Sequence, residues 1–134
     1  MYTADCLPIF FAVKSTRNVA ILHCGRQGLE KRIIKNLVKI FDNLRASRDD
    51  LLVAIGPAIS KKNYLIDKKT LQEFYRQEEN KKSSKNLSET EKNFYFGNTN
   101  SLEEQNLIPL DLRRCAYRQL LNENIPSKNI DISN

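Results

Sequence analysis

The chain has 134 residues, of which 40% are hydrophobic and 28% charged, with a net charge of +6. This length predicts one domain with a modest core. No apolar run approaches the roughly 20 residues that cross a bilayer, and no basic-then-apolar export signal opens the chain, so no membrane association and a cytoplasmic location are expected.

Three cysteines in such a chain point to reduced thiols rather than a disulfide framework. The lysines lie in scattered pairs (Lys61-Lys62, Lys68-Lys69, Lys81-Lys82) with no interleaved aromatics. That pattern favours a solvated basic surface over a nucleic-acid partner.

Leu7–Val13 is apolar on both alternating faces and reads as a buried strand. Lys14–Asn18 is a polar turn of hairpin length, and Val19–His23 reads as the returning strand. Gly25 and Gly28 bracket a short loop. From Leu29 the period becomes helical. Leu29, Ile33, Ile34, Leu37, Val38, Ile40, Phe41 and Leu44 fall mostly on one face, and the helix is expected to end near Ala46.

Leu51–Ile55 is wholly apolar and predicts a central strand, ended by Gly56-Pro57. Proline lacks a donor N–H and fixes its own φ, while glycine accepts unusual dihedrals. Such a turn either brings backbone close to a ligand or is an ordinary reversal. Tyr64–Ile66 predicts a brief strand, and Leu71–Arg76 a helix with Leu71, Phe74 and Tyr75 inward. Glu78–Asn93 has one apolar residue, Leu87, and reads as a mobile loop or exposed helix; Phe94-Tyr95-Phe96 restores apolar character.

Leu110–Glu123 predicts a second amphipathic helix, with Leu112, Ala116, Leu120 and Leu121 inward and Cys115 packed within it. Asn129–Ser133 predicts a last strand. The order of elements indicates an α+β fold with mixed α/β layers. The final alternation of Ile130 and Ile132 has no partner after it, and Cys6 precedes any supporting element. Residues 1–134 therefore read as a single partial domain, interrupted at both ends.

Cys6 opens the first strand and the chain's only histidine, His23, closes the second, 17 residues later. An antiparallel hairpin folds that interval back towards contact. A thiolate and a neutral imidazole are both zinc ligands. Alternatively the imidazole activates Cys6 as a nucleophile, or the two simply pack at the strand ends. Asp5 and the Gly25–Gly28 loop are placed to orient such a site or offer backbone N–H groups to it. Two donors do not complete a catalytic zinc, which takes three protein ligands and a water. Cys24 alternates to the face opposite His23 and is a poor third.

Thr3-Ala4-Asp5-Cys6-Leu7-Pro8, then His23-x-Gly25-x-x-Gly28, then Ile55-Gly56-Pro57-Ala58-Ile59, with Asp111-Leu112 opening a later helix, resemble the multicopper polyphenol oxidase (laccase-like) family. Members of that family are also described as purine nucleoside phosphorylases and as the peptidoglycan editing factor. The resemblance implies an αββα-like sandwich related to cysteine-hydrolase toxin domains, truncated here at both ends. It implies a zinc ion, with copper as the other candidate, held by one Cys and two His. Cys6 matches the cysteine and His23 the second histidine; the first histidine corresponds to a segment upstream of Met1.

The implied reaction is phosphorolysis of adenosine or inosine, with adenosine deamination and methylthioadenosine phosphorolysis as related activities. The implied partners are a purine nucleoside and phosphate. Gly25, Arg26, Gly28, Gly56 and Pro57 match positions that shape the substrate pocket. Where the family pattern is His-Ala-Gly-Trp-Arg-Gly, this chain has His23-Cys24-Gly25-Arg26-Gln27-Gly28. Arg26 thus stands in place of an aromatic wall, beside rather than at the position of the expected arginine. Tyr64 is followed by Leu65 instead of Glu. These departures, with the truncation, predict little activity for the isolated chain. Two further readings stand beside this one: a metal-independent Cys–His hydrolase or peptidoglycan-editing protein, and a non-enzymatic basic interaction module.

Overall fold

The computed structural model describes residues 1–79 and 107–133. In chain order its elements are β1 (Leu7–Val13), β2 (Val19–Cys24), α1 (Arg26–Glu30), α2 (Ile33–Asn43), β3 (Leu51–Ile55), β4 (Leu65–Asp67), α3 (Lys68–Glu79), β5 (Leu107–Pro109), α4 (Leu112–Asn122) and β6 (Ile130–Ile132). The main sheet has the order β2-β1-β3-β6; β4 and β5 form a separate two-stranded antiparallel sheet.

β1 and β2 are the expected hairpin, with Leu7 opposite Cys24 and Ala12 opposite Val19. The turn is closed by a 2.8 Å bond from the Val13 N–H to the Asn18 carbonyl, and Arg17 takes the left-handed conformation at φ 58°. Asp50 accepts from the Ser15 backbone N–H, pinning the turn to the approach of β3. β3 runs antiparallel to β1 and parallel to β6, so the run that looked partnerless at the end of the sequence is paired with β3 instead.

One face of the sheet builds the core. Leu7, Ile9, Phe11 and Val13 of β1 and Leu51, Val53 and Ile55 of β3 alternate inward and are buried. Against them lie Ile34, Val38 and Phe41 of α2 and Leu112, Cys115, Ala116 and Leu120 of α4. Phe11 and Phe41 stack at a tilt, ring centroids 6.0 Å apart. Gln119, nearly buried, donates through Nε2 to the Leu29 carbonyl at 2.9 Å and ties α4 to α1. Asn129 donates to the Asp49 carbonyl at 2.9 Å and sets β6 beside β3.

Four expectations are corrected. The Gly25–Gly28 segment is not a loop: Gly25 precedes α1 and Gly28 lies inside it. The helix expected from Leu29 to Ala46 is divided at Arg32, whose left-handed backbone (φ 56°) starts α2 afresh. Ile40 and Leu44 lie off the face of α2 that Ile34, Val38 and Phe41 turn inward, and are exposed to solvent. Leu121 is half-buried; Cys115 and Gln119 take the inward positions beside it. β5 went unread, and the Leu71–Arg76 helix extends over Lys68–Glu79. Most of the polar Glu78–Asn93 run and the Phe94-Tyr95-Phe96 triplet lie outside the described residues. Among the described residues, no helix is long and apolar enough to cross a membrane.

Candidate functional site

The three sequence stretches singled out above meet at one end of the main sheet. Residues 5–8 enter β1 there, β2 ends there at Cys24, and β3 ends there at Ile55. Two glycines make the convergence close. A β-carbon on Gly25 would lie 2.7 Å from the Cys6 Sγ. One on Gly56 would lie 2.7 Å from the Pro8 Cγ and 3.3 Å from its carbonyl oxygen. The Gly56 N–H donates to that carbonyl at 2.8 Å, and the Ile59 N–H donates to the Asp5 carbonyl at 3.0 Å. The entry to β1 is therefore clamped on one side by the residue after β2 and on the other by the turn after β3.

Strand alternation sets which side each functional group faces. Pro8 stands opposite His23, and Leu7 opposite Cys24. Leu7 and Cys24 are buried on the core face; His23 is exposed on the outer face. Gly25 continues the extended backbone of β2 (φ −92°, ψ −175°), so its missing side chain points outward, as His23 does. The Cys6 sulfur occupies that outward position. The Cys6 sulfur thus lies beside Gly25 on the side of the hairpin to which His23 points; Cys6 is half-buried and His23 exposed.

Cys24 is separated from this pair by chemistry as well as direction. Burial first, and the neighbouring Cys6 second, push its thiol from an ordinary value of 9.0 up to about 12. It remains protonated at neutral pH and serves the core as a small apolar side chain. Cys115 is buried in α4.

Arg26 is half-buried and engaged. Its guanidinium donates to Glu30, one turn on in the same short helix, and it also bonds to Tyr64. Burial pulls its pKa down, but Glu30 and Tyr64 more than offset this and hold it above the ordinary arginine value. Gly28 faces the Cys24 Sγ and the Ile33 Cγ2, each at 3.5 Å from a notional β-carbon, which is ordinary contact. Pro57 is exposed at the turn.

The structure adds residues that the sequence reading passed over. Pro8 is the floor on which Gly56 sits. Its sequence signal was available, because a proline at the start of a strand marks a special position. Glu30, one partner of Arg26, carried no such signal; Tyr64, the other, stood out in the sequence only as the aromatic after the Gly-Pro turn. Cys6 and His23 offer sulfur and nitrogen donors of the kind zinc takes. Among the described residues, no group of three His, Cys, Asp or Glu side chains is placed to hold a metal ion.

Residues 1–134 match the family model described as multi-copper polyphenol oxidoreductase laccase. A purine nucleoside phosphorylase of Haemophilus influenzae is 30% identical over 110 residues, covering 82% of this chain and 44% of that protein. The hypothetical protein YfiH of Bacillus licheniformis superposes with a TM-score of 0.78 at 23% identity. YlmD of Geobacillus stearothermophilus does so with a TM-score of 0.75 at 26% identity. Each of these two structures covers 98% of this chain and 44% of its own. The chain therefore spans less than half the length of each of these three proteins.

Proposed function

The chain belongs to the multi-copper polyphenol oxidoreductase laccase family, and on that premise we propose that it is a partial purine nucleoside phosphorylase domain carrying one side of the site. The relative from Haemophilus influenzae bears that activity in its name. In this reading Cys6 and His23 are two donors to a zinc ion, or to copper, and are the catalytic residues. Gly25, Arg26, Gly28, Gly56 and Pro57 shape a pocket for a purine nucleoside and phosphate. In phosphorolysis a phosphate oxygen bonds to the ribose C1′ as the bond to the purine nitrogen breaks, and the base leaves with a proton. The same pocket would admit the related adenosine deamination and methylthioadenosine phosphorolysis. The parent architecture would be the αββα sandwich related to cysteine-hydrolase toxin domains, of which residues 1–134 form one part.

The observation that carries this reading is the sulfur of Cys6 seated against Gly25 on the face that bears His23. In this reading the departures from the family pattern at Arg26, which is tied to Glu30, at exposed Gln27 and at Leu65 would weaken substrate binding.

Metal content by plasma mass spectrometry tests it. Substoichiometric zinc is expected in the wild type, falling to background in Cys6→Ser and in His23→Ala, with little adenosine phosphorolysis by the 134-residue chain. Zinc retention unchanged in both variants would remove the pair as donors. Robust phosphorolysis by this chain alone would overturn its assignment as one side of a site.

A further inference from the structure

α1 has five residues, too few to hold a helical form or a position unaided. Its far end is fixed by buried Leu29 and by the bond from Gln119 to the Leu29 carbonyl. Its near end is Gly25 and Arg26. Gly25 has no side chain with which to cap the first turn, yet it is the residue against which the Cys6 sulfur rests. Arg26 is the next side chain available to hold that end in place.

Residues 56–64 lie on the other side of Cys6. They contain no strand and no α-helix. The Gly56 N–H bond to the Pro8 carbonyl and the Ile59 N–H bond to the Asp5 carbonyl tie them to the entry of β1. At the end of this segment Tyr64 is half-buried against the core, and its carbonyl accepts from the Leu110 N–H at 2.9 Å. The Arg26 guanidinium bonds to the Tyr64 side chain while it pairs with Glu30. The Arg26 and Glu30 side chains are only 23% and 17% exposed, so this is not one of the solvated surface pairs that contribute little. A planar fork of donors serves two partners at once, which a single ammonium does poorly.

We propose that Arg26 is a positioning residue: its guanidinium, shared between Glu30 and the Tyr64 hydroxyl, latches the start of α1 to the 56–64 segment and so fixes the niche in which the Cys6 sulfur sits. Its functional meaning rests on the reading of Cys6 as a metal donor given above. Arg26 acts through the backbone on either side of Cys6, not by reaching for phosphate or base. With the latch closed, Gly25 and Asp5 are held at a set spacing and the sulfur keeps one direction. With it open, the near end of α1 and the 56–64 segment move apart and the sulfur is free to turn.

Iodoacetamide labelling at pH 8 in the full 134-residue chain, read by intact mass, tests the latch. Tyr64→Phe removes only the hydroxyl. Arg26→Lys keeps a charge for Glu30 but loses the fork. Both should label Cys6 several-fold faster than wild type, with Cys24 and Cys115 still protected and urea midpoints near the wild-type value. The double variant should be no faster than either single one, because both changes open the same bond. The zinc concentration that halves the labelling rate should rise several-fold in each variant. Wild-type labelling rates in both single variants, multiplied effects in the double one, or labelling of all three cysteines together, which marks general loosening, would each overturn the assignment. Faster labelling in the variants with no zinc protection in any of the proteins would support the latch and overturn the metal reading instead.

Discussion

The Cys6 sulfur fills the space that a side chain on residue 25 would need, 2.7 Å from where its first carbon would stand. Gly56 is equally crowded, but by the ring and carbonyl of Pro8. The two glycines therefore differ in what must give way. A thiol on a short side chain can rotate aside, whereas a proline paired with His23 across the hairpin and bonded through its carbonyl to the Gly56 N–H cannot.

Gly25→Ala is accordingly expected to cost less than about 1 kcal/mol of stability while changing the rate of Cys6 labelling several-fold, and Gly56→Ala to cost roughly 1–3 kcal/mol. Gly28→Ala meets only ordinary contacts and sits in a helix, so it should be neutral or stabilising by about 0.4–1 kcal/mol. Urea midpoints order the three. Equal losses at residues 25 and 56 would contradict the difference in crowding.

Thiol accessibility separates the three cysteines. Iodoacetamide at pH 8 should modify Cys6 alone in the native chain, because Cys24 and Cys115 are buried and the Cys24 thiol stays protonated. Intact mass should show one adduct when folded and three when unfolded. Protection of Cys6 by zinc that is lost on chelation favours a ligand; rapid labelling indifferent to chelator favours a metal-free nucleophile.

Cys24 also sets an alkaline limit. Its pKa is higher in the folded chain than in the unfolded one, so the folded state holds the extra proton between the two values. That stability is complete below an ordinary thiol pKa of 9.0 and is lost as pH climbs towards about 12. The slope in this window approaches 1.4 kcal/mol per pH unit at most, roughly. Denaturant midpoints compared between wild type and Cys24→Ala from pH 8.5 to 11 should converge as pH rises. A constant gap would remove Cys24 as the cause.

Gln119 holds α1 through the Leu29 carbonyl, deep between two helices. Gln119→Leu keeps most of the volume but strands that acceptor, and should cost roughly 1–3 kcal/mol by thermal or urea unfolding. A neutral outcome would mean that the carbonyl finds water.

Much of this arrangement was legible in the residues. β1 and β3 were readable because every residue in them is apolar or small and a polar turn or a Gly-Pro pair stops them. The β1–β2 hairpin itself followed from the two apolar runs and the polar turn between them; its register sets His23 opposite Pro8 and leaves the Cys6 sulfur against Gly25. The break at Arg32 was not legible, because a left-handed arginine leaves no compositional mark where glycine or asparagine would. Gly25 and Gly28 looked like loop punctuation. In fact Gly25 is small for the sake of a sulfur from a distant stretch, and that reason exists only in three dimensions. The same holds for Arg26, whose partner Tyr64 is brought by the chain beyond the third strand.

Among the described residues β2 lies at the margin of its sheet, paired on one side only, and its six residues include no lysine and no proline. Its pairing with β1 runs without a bulge from Leu7–Cys24 to Ala12–Val19. Those are the devices by which natural strands discourage others from adding to them. An unaccompanied copy therefore offers an open backbone ladder to any extended segment it meets, and its lifetime before irreversible assembly depends on how soon that ladder is occupied.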